Sequence, residues 1–166
     1  MQKVIQLLVD NTSGVLSRIS GLFTRRGYNI ESITAGVTND PRFTRITITT
    51  SGDEDVLEQI EKQVAKLVDV RDLRVLDPDN SVYRELVLIK VKADKAERLE
   101  IKAIAQDIYR ARIIDMSQDS MIIELIGNQS KVSALIKLLG DYEILEIART
   151  GITGLQRGSD GVIMLD

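Results

Sequence analysis

The residues best placed to do chemistry are Asn11-Thr12-Ser13-Gly14, which lie between an apolar strand-like run and an amphipathic helix. A loop of this kind exposes free backbone N–H groups at a helix start, where a small anion such as a carboxylate can dock. Asn11 adds a side-chain amide that both donates and accepts hydrogen bonds. The adjacent aliphatic pair Val15-Leu16 suits a small apolar side chain. A second amide, Asn29, stands between Tyr28 and Ile30 after Gly27. It reads either as a turn residue or as a partner for the amino group of a ligand that bridges two copies of the domain. Helix capping by Asn11, Thr12 or Ser13 accounts for the first run equally well.

Catalytic equipment is absent. The chain of 166 residues has no histidine and no cysteine, which removes the usual general base, the commonest metal ligand, thiolate nucleophiles and disulfides. No nucleophile–base pair stands out. The acidic clusters Asp53-Glu54-Asp55 and Asp77/Asp79 read as structural, the first at a helix start where acids complement the dipole. No metal site is expected. The net charge of -3 argues against a nucleic-acid protein, and at 4% aromatics the strands lack the stacking surface of an RNA-recognition motif. No signal peptide or membrane-length apolar run is seen, so the expectation is a cytoplasmic protein that does not bind membranes.

The elements that must hold these residues follow from periodicity. Lys3 to Val9 reads as a buried strand; Val15, Ile19, Leu22 and Phe23 share a helical face that ends at Arg25, Arg26 and Gly27. Strands are expected over Tyr28–Val37 and Phe43–Thr49, a helix over Asp53–Leu67 and a strand over Val70–Leu76. The order is βαββαβ, the ferredoxin-like arrangement. After a linker at Asp77-Pro78-Asp79-Asn80-Ser81 the order repeats. It runs as strand Glu85–Val91, helix Ala96–Arg110, strands Ala111–Met116 and Met121–Ile126, helix Ser130–Leu139 and strand Ile144–Ile152. The fold class is therefore α+β, two tandem ferredoxin-like domains over residues 1–77 and 82–158, with a tail at 159–166. The glycine-bearing run from Gly154 onward reads as a poorly anchored extension.

Several runs carry a family resemblance. They are Asn11 to Arg18, Leu22 to Ile33 with its Arg26-Gly27-Tyr28-Asn29-Ile30-Glu31-Ser32 core, Glu58 to Gln63, Ile113-Ile114-Asp115, and Glu146 to Gly151 leading to Arg157-Gly158. Together they resemble the small, regulatory subunits of acetohydroxyacid synthase (acetolactate synthase), whose N-terminal half is an ACT domain. The resemblance implies a homodimer joined sheet to sheet. Asn11, Gly14, Val15 and Leu16 of one protomer and Asn29 and Ile30 of its partner would then hold a branched-chain amino acid. It also implies a separate catalytic large subunit carrying thiamine diphosphate, Mg²⁺ and FAD, with no cofactor in this chain. On the same grounds the segment with Arg149 and Arg157 is a contact surface for that subunit. Many ACT domains place proline before the loop glycine, whereas this chain has Ser13. A stand-alone ACT amino-acid sensor is the alternative.

Overall fold

The structure, a computed structural model, describes residues 1–159. Its contacts divide the chain into two compact units: Met1–Val82 with the segment from Ile152 onward, and Tyr83–Gly151.

In the first unit β1 (Gln2–Asp10) leads into α1 (Val15–Arg26), β2 (Ile30–Val37), β3 (Phe43–Ser51), α2 (Glu54–Val64) and β4 (Val70–Val75). The strands form an antiparallel sheet in the order β2-β3-β1-β4, which is the ferredoxin-like topology. Pleating alternates the side chains: Ile5, Leu7 and Val9 of β1 and Ile46 and Ile48 of β3 point to the helices. They pack there against Val15, Ile19, Leu22 and Phe23 of α1 and Leu57, Ile60 and Val64 of α2. The periodic apolar positions of the sequence are this core. Glycine ends α1, with Gly27 at φ 67° returning its N–H to the Thr24 carbonyl. Three-residue helical winding over Pro78–Asn80, capped by the Asp77 carboxylate, stands where a linker is expected.

The second unit repeats the order: β5 (Ser81–Lys92), α3 (Glu97–Lys102), β6 (Arg112–Met116), β7 (Ser120–Gly127), α4 (Gln129–Leu138) and β8 (Ile144–Arg149). Its antiparallel sheet runs β6-β7-β5-β8. Val87, Ile89, Val91, Met121, Ile123 and Leu125 meet Ile101, Ala105, Val132 and Leu135 in a second core. One helix departs from expectation. Past Lys102 the winding widens into a π-helical stretch, Ala103–Ile108. The wider turn breaks the 3.6-residue phase, and Ile108, expected on the buried face with Ile104 and Ala105, is 65% exposed.

The other departure concerns the end of the chain. The last strand of the repeat stops at Arg149, and Gly151 turns the backbone at φ 82°. The run from Gly154 is not a loose extension in its described part: Thr153–Gln156 forms β9. The Gly154 carbonyl accepts from Gln6 Nε2, that of Ile152 from Thr34 Oγ1 (3.2 Å), and Arg157 N–H donates to the Asn80 carbonyl (2.8 Å). Residues 152–158 thus group with the first unit, although in sequence order they follow the second. The remainder of the expected tail, 160–166, lies outside the described residues.

Candidate functional site

The loop after β1 is held from three sides. Asp10 N–H donates to the Asp69 carbonyl and Asn11 N–H to the Arg42 carbonyl, at 2.9 and 2.7 Å. The Asn11 side chain donates through Nδ2 to the Pro41 carbonyl (2.9 Å) and accepts at Oδ1 from Thr44 (3.2 Å). The amide therefore ties the loop to the β2–β3 hairpin, and it does not cap α1.

Neither Thr12 nor Ser13 caps the helix. Gly14 occupies the capping position at φ 83°, with no side-chain hydrogen bond to the helix start. A side chain is disfavoured in that left-handed conformation, and a Cβ there would stand 2.8 Å from Arg18 Nη1. Among the described residues no side chain caps the first turn of α1, which leaves the open helix start that an anion needs.

Two residues the sequence does not single out frame this opening. Arg18, one turn into α1, is held by Asp69 through two hydrogen bonds, Nε–Oδ2 at 2.6 Å and Nη2–Oδ1 at 3.0 Å. The hydrogen bond from Arg18 holds the Asp69 carboxyl below the usual carboxylate range. Beside it Arg71 grips Asp10 in the same forked geometry, at 2.7 and 2.8 Å. The only local hint of the first clamp is an arginine four residues past the loop glycine; its acid lies 51 positions away.

Val15 is 4% exposed and belongs to the core beneath α1, so it anchors the helix start rather than offering a free surface. Leu16 is 49% exposed and is the apolar side chain left open beside Gly14. Asn29 is exposed; its carbonyl accepts from Thr50 Oγ1 at 2.6 Å. Ile30 is half-buried against the first core.

The structure does not bring Asn11 and Asn29 together within one chain. Asp10 pairs with Phe43 at one end of the sheet, while Ile30 pairs with Thr50 and Gln2 with Ser51 at the other. At ~3.3 Å per residue the two amides are separated by most of a strand, roughly 25 Å. β1 and β2 run in the same direction, each antiparallel to β3, and β2 is an edge strand.

The Asp53 carboxylate accepts from Val56 N–H (2.9 Å) and so caps α2; Asp77 accepts from Asp79 N–H (3.0 Å). Both acidic clusters serve local backbone structure.

Comparison with known proteins decides the family. Residues 5–72 match the family model of the AHAS small subunit-like ACT domain, and residues 84–158 match that of the small subunit of acetolactate synthase. A probable acetolactate synthase small subunit of Methanothermobacter thermautotrophicus is 47% identical, over 94% of this chain and 93% of that protein. The chain belongs to the acetolactate synthase small-subunit family. The isozyme 3 small subunit of Escherichia coli is 45% identical to this small subunit, over 95% of this chain and 97% of its own length. The crystal structure of the Thermotoga maritima acetolactate synthase small subunit superimposes with a TM-score of 0.83 at 42% identity, covering 96% of this chain and 99% of that one. The first unit of this small subunit is thus an ACT domain, and the loop around Gly14 is its β1–α1 turn.

Proposed function

We propose that this small subunit senses a branched-chain amino acid and transmits its level to a catalytic large subunit of acetolactate synthase. The observation that carries the reading is the placement of Asn11 and Asn29 at opposite ends of one sheet. A two-fold dimer joined through edge strand β2 runs the two β2 strands antiparallel, which sets the Asn11 end of one protomer beside the Asn29 end of its partner. Gly14 then offers the open α1 start to the ligand carboxylate, Leu16 and the partner's Ile30 offer apolar contact, and the two amides fix the ligand's polar groups.

On this reading the chain is regulatory and carries no catalytic residue. Thiamine diphosphate, Mg²⁺ and FAD belong to the large subunit, and the assembly works in the cytoplasm. The small subunit raises the activity of its partner, and the bound amino acid favours a less active arrangement. That shift requires different affinities of the effector for the two arrangements, since equal binding moves nothing. Contacts worth about 1–3 kcal/mol per methylene leave valine, leucine and isoleucine incompletely distinguished.

The test is complementation in a reconstituted holoenzyme. Asn11→Ala and Asn29→Ala each remove valine inhibition while activation persists. Mixing the two variants restores partial inhibition, because each mixed dimer then contains one intact site. If the mixture stays as insensitive as either variant, the shared site is wrong. If the wild-type chain neither binds a large subunit nor alters its activity, the stand-alone sensor replaces the regulatory reading.

A further inference from the structure

The sheet of the first unit has a second face, turned away from α1 and α2. In the β2–β3 register Thr34 pairs with Thr47 and Gly36 with Arg45, so these four residues share that face. They line a cleft of about 440 Å³ whose far wall is the β9 segment, including Thr153 and Gly154. The wall is fixed in place by the bonds from Thr34 to the Ile152 carbonyl and from Gln6 to the Gly154 carbonyl. Gly36 leaves the cleft open, for a Cβ there would meet nothing within 4 Å.

One charged group in this cleft lacks the counter-ion such a group normally has. Arg45 is half-buried, and its Nη1 donates to a neutral acceptor, Gln6 Oε1, at 3.1 Å. Among the described residues it makes no ion pair. The nearby carboxylate, Asp72, is engaged by Arg74 at 3.0 Å, so two guanidiniums share one acid. Burial pushes the Arg45 guanidinium below its ordinary value, as befits a cation short of counter-charge. Thr47, on the same face, also lines the cleft and turns its hydroxyl-bearing side chain to the side away from the helices. A half-buried guanidinium with free donors beside a threonine hydroxyl is an incomplete shell for an oxyanion, because a buried charge is costly unless matched.

We propose that this cleft binds a small oxyanion, the carboxylate or phosphate group of a metabolite, with Arg45 as its counter-ion and Thr47 as a hydrogen-bond donor. The site is distinct from the effector seam. Asn11 bonds to Thr44, which pairs with Val9 on the helix side of the sheet, whereas Arg45 and Thr47 face the other way.

The experiment measures thermal stability of the full chain in inorganic phosphate and in acetate, each against chloride at equal ionic strength. A rise in Tm in phosphate, in acetate or in both supports the site and tells which group it takes. Arg45→Gln weakens the response at least about tenfold, as expected for loss of a charge-assisted hydrogen bond. Gly36→Leu, on an edge strand at an ordinary strand backbone angle, fills the cleft and abolishes the response with Arg45 intact; it carries the test where Arg45→Gln fails to fold. Asn11→Ala leaves the response unchanged while removing the amino-acid response, so failure of one site is told apart from failure of the other. No rise in either anion, or the same rise in both cleft variants as in the wild type, overturns the proposal.

Discussion

The two units share an order of elements but begin their first helices in opposite ways. In the second unit the Asp94 carboxylate accepts from the N–H groups of Ala96 and Glu97, at 2.8 and 2.9 Å, and Glu97 reaches back to accept from Asp94 N–H at 2.9 Å. That reciprocal box closes the start of α3. α2 and α4 are closed likewise, by Asp53 and by Asn128. The start of α1 alone, among the described helices, has a left-handed glycine and no side-chain acceptor. One topology thus yields a sealed helix start and an open one. The difference lies in a handful of loop residues and not in the fold, which the two units share.

The two units are expected to answer differently to substitution. The largest effect is expected from Arg149→Ala. Arg149 holds Glu85, whose side chain is 2% exposed, through bonds of 2.6 and 3.0 Å. Its removal strands a buried carboxylate and lowers urea stability by about 3 kcal/mol. A second unit insensitive to this change would show that its architecture rests elsewhere.

Gly14→Asp comes next. The positive φ costs about 1–2 kcal/mol for a side-chain-bearing residue, and the new carboxylate occupies the place of the ligand's own. Valine should then produce no thermal shift, while circular dichroism keeps the wild-type shape. Asp94→Ala is the counterpart in the second unit. Loss of its cap costs a similar or smaller amount, about 1 kcal/mol, yet leaves the valine shift untouched. Equal effects of the two variants on that shift would erase the distinction between open and sealed starts.

The smallest effect is one of pH. Hydrogen bonding from Arg18 lowers the folded-state titration of Asp69. The stabilisation is fully present above the ordinary carboxylate value, near ~4, and is lost as pH falls through the lower folded value. Urea midpoints measured on acidification should drop less steeply in Asp69→Asn than in the wild type. Parallel curves would mean that the clamp contributes nothing.

Much of this was legible in residue order because it is written in local spacing. Val15, Ile19, Leu22 and Phe23 declare the buried face of α1, and Arg25-Arg26-Gly27 its end. The doubled βαββαβ order follows from the same periodicities. Long-range pairings leave no such trace. Nothing near Arg18 points to Asp69, and nothing near Gly154 points to Gln6. The π-helical winding after Lys102 is equally silent, since Ile104, Ala105 and Ile108 keep ordinary helical spacing while the backbone does not. The Asn11 amide both donates and accepts hydrogen bonds, more than a helix cap requires. The structure gives that surplus an intrachain use, at Pro41 and Thr44. That the two amides stand at opposite ends of a sheet becomes visible only once strand register is known.

The packing of β9, which pairs with β5, against the face of the first sheet bears on how this protein is made. Gln6 leaves the ribosome early, while its partner carbonyl at Gly154 is 148 residues behind it. At ~5–20 residues per second, roughly seven to thirty seconds of translation separate the two. During that interval the α1–α2 side of the nascent ACT domain can assemble from contiguous chain, but its other face has no β9 to cover it. Closure of so distant a contact also carries a loop entropy that local strand pairing does not. The first domain to be synthesised is therefore among the last to be finished, and its unfinished face is what a nascent-chain chaperone would meet.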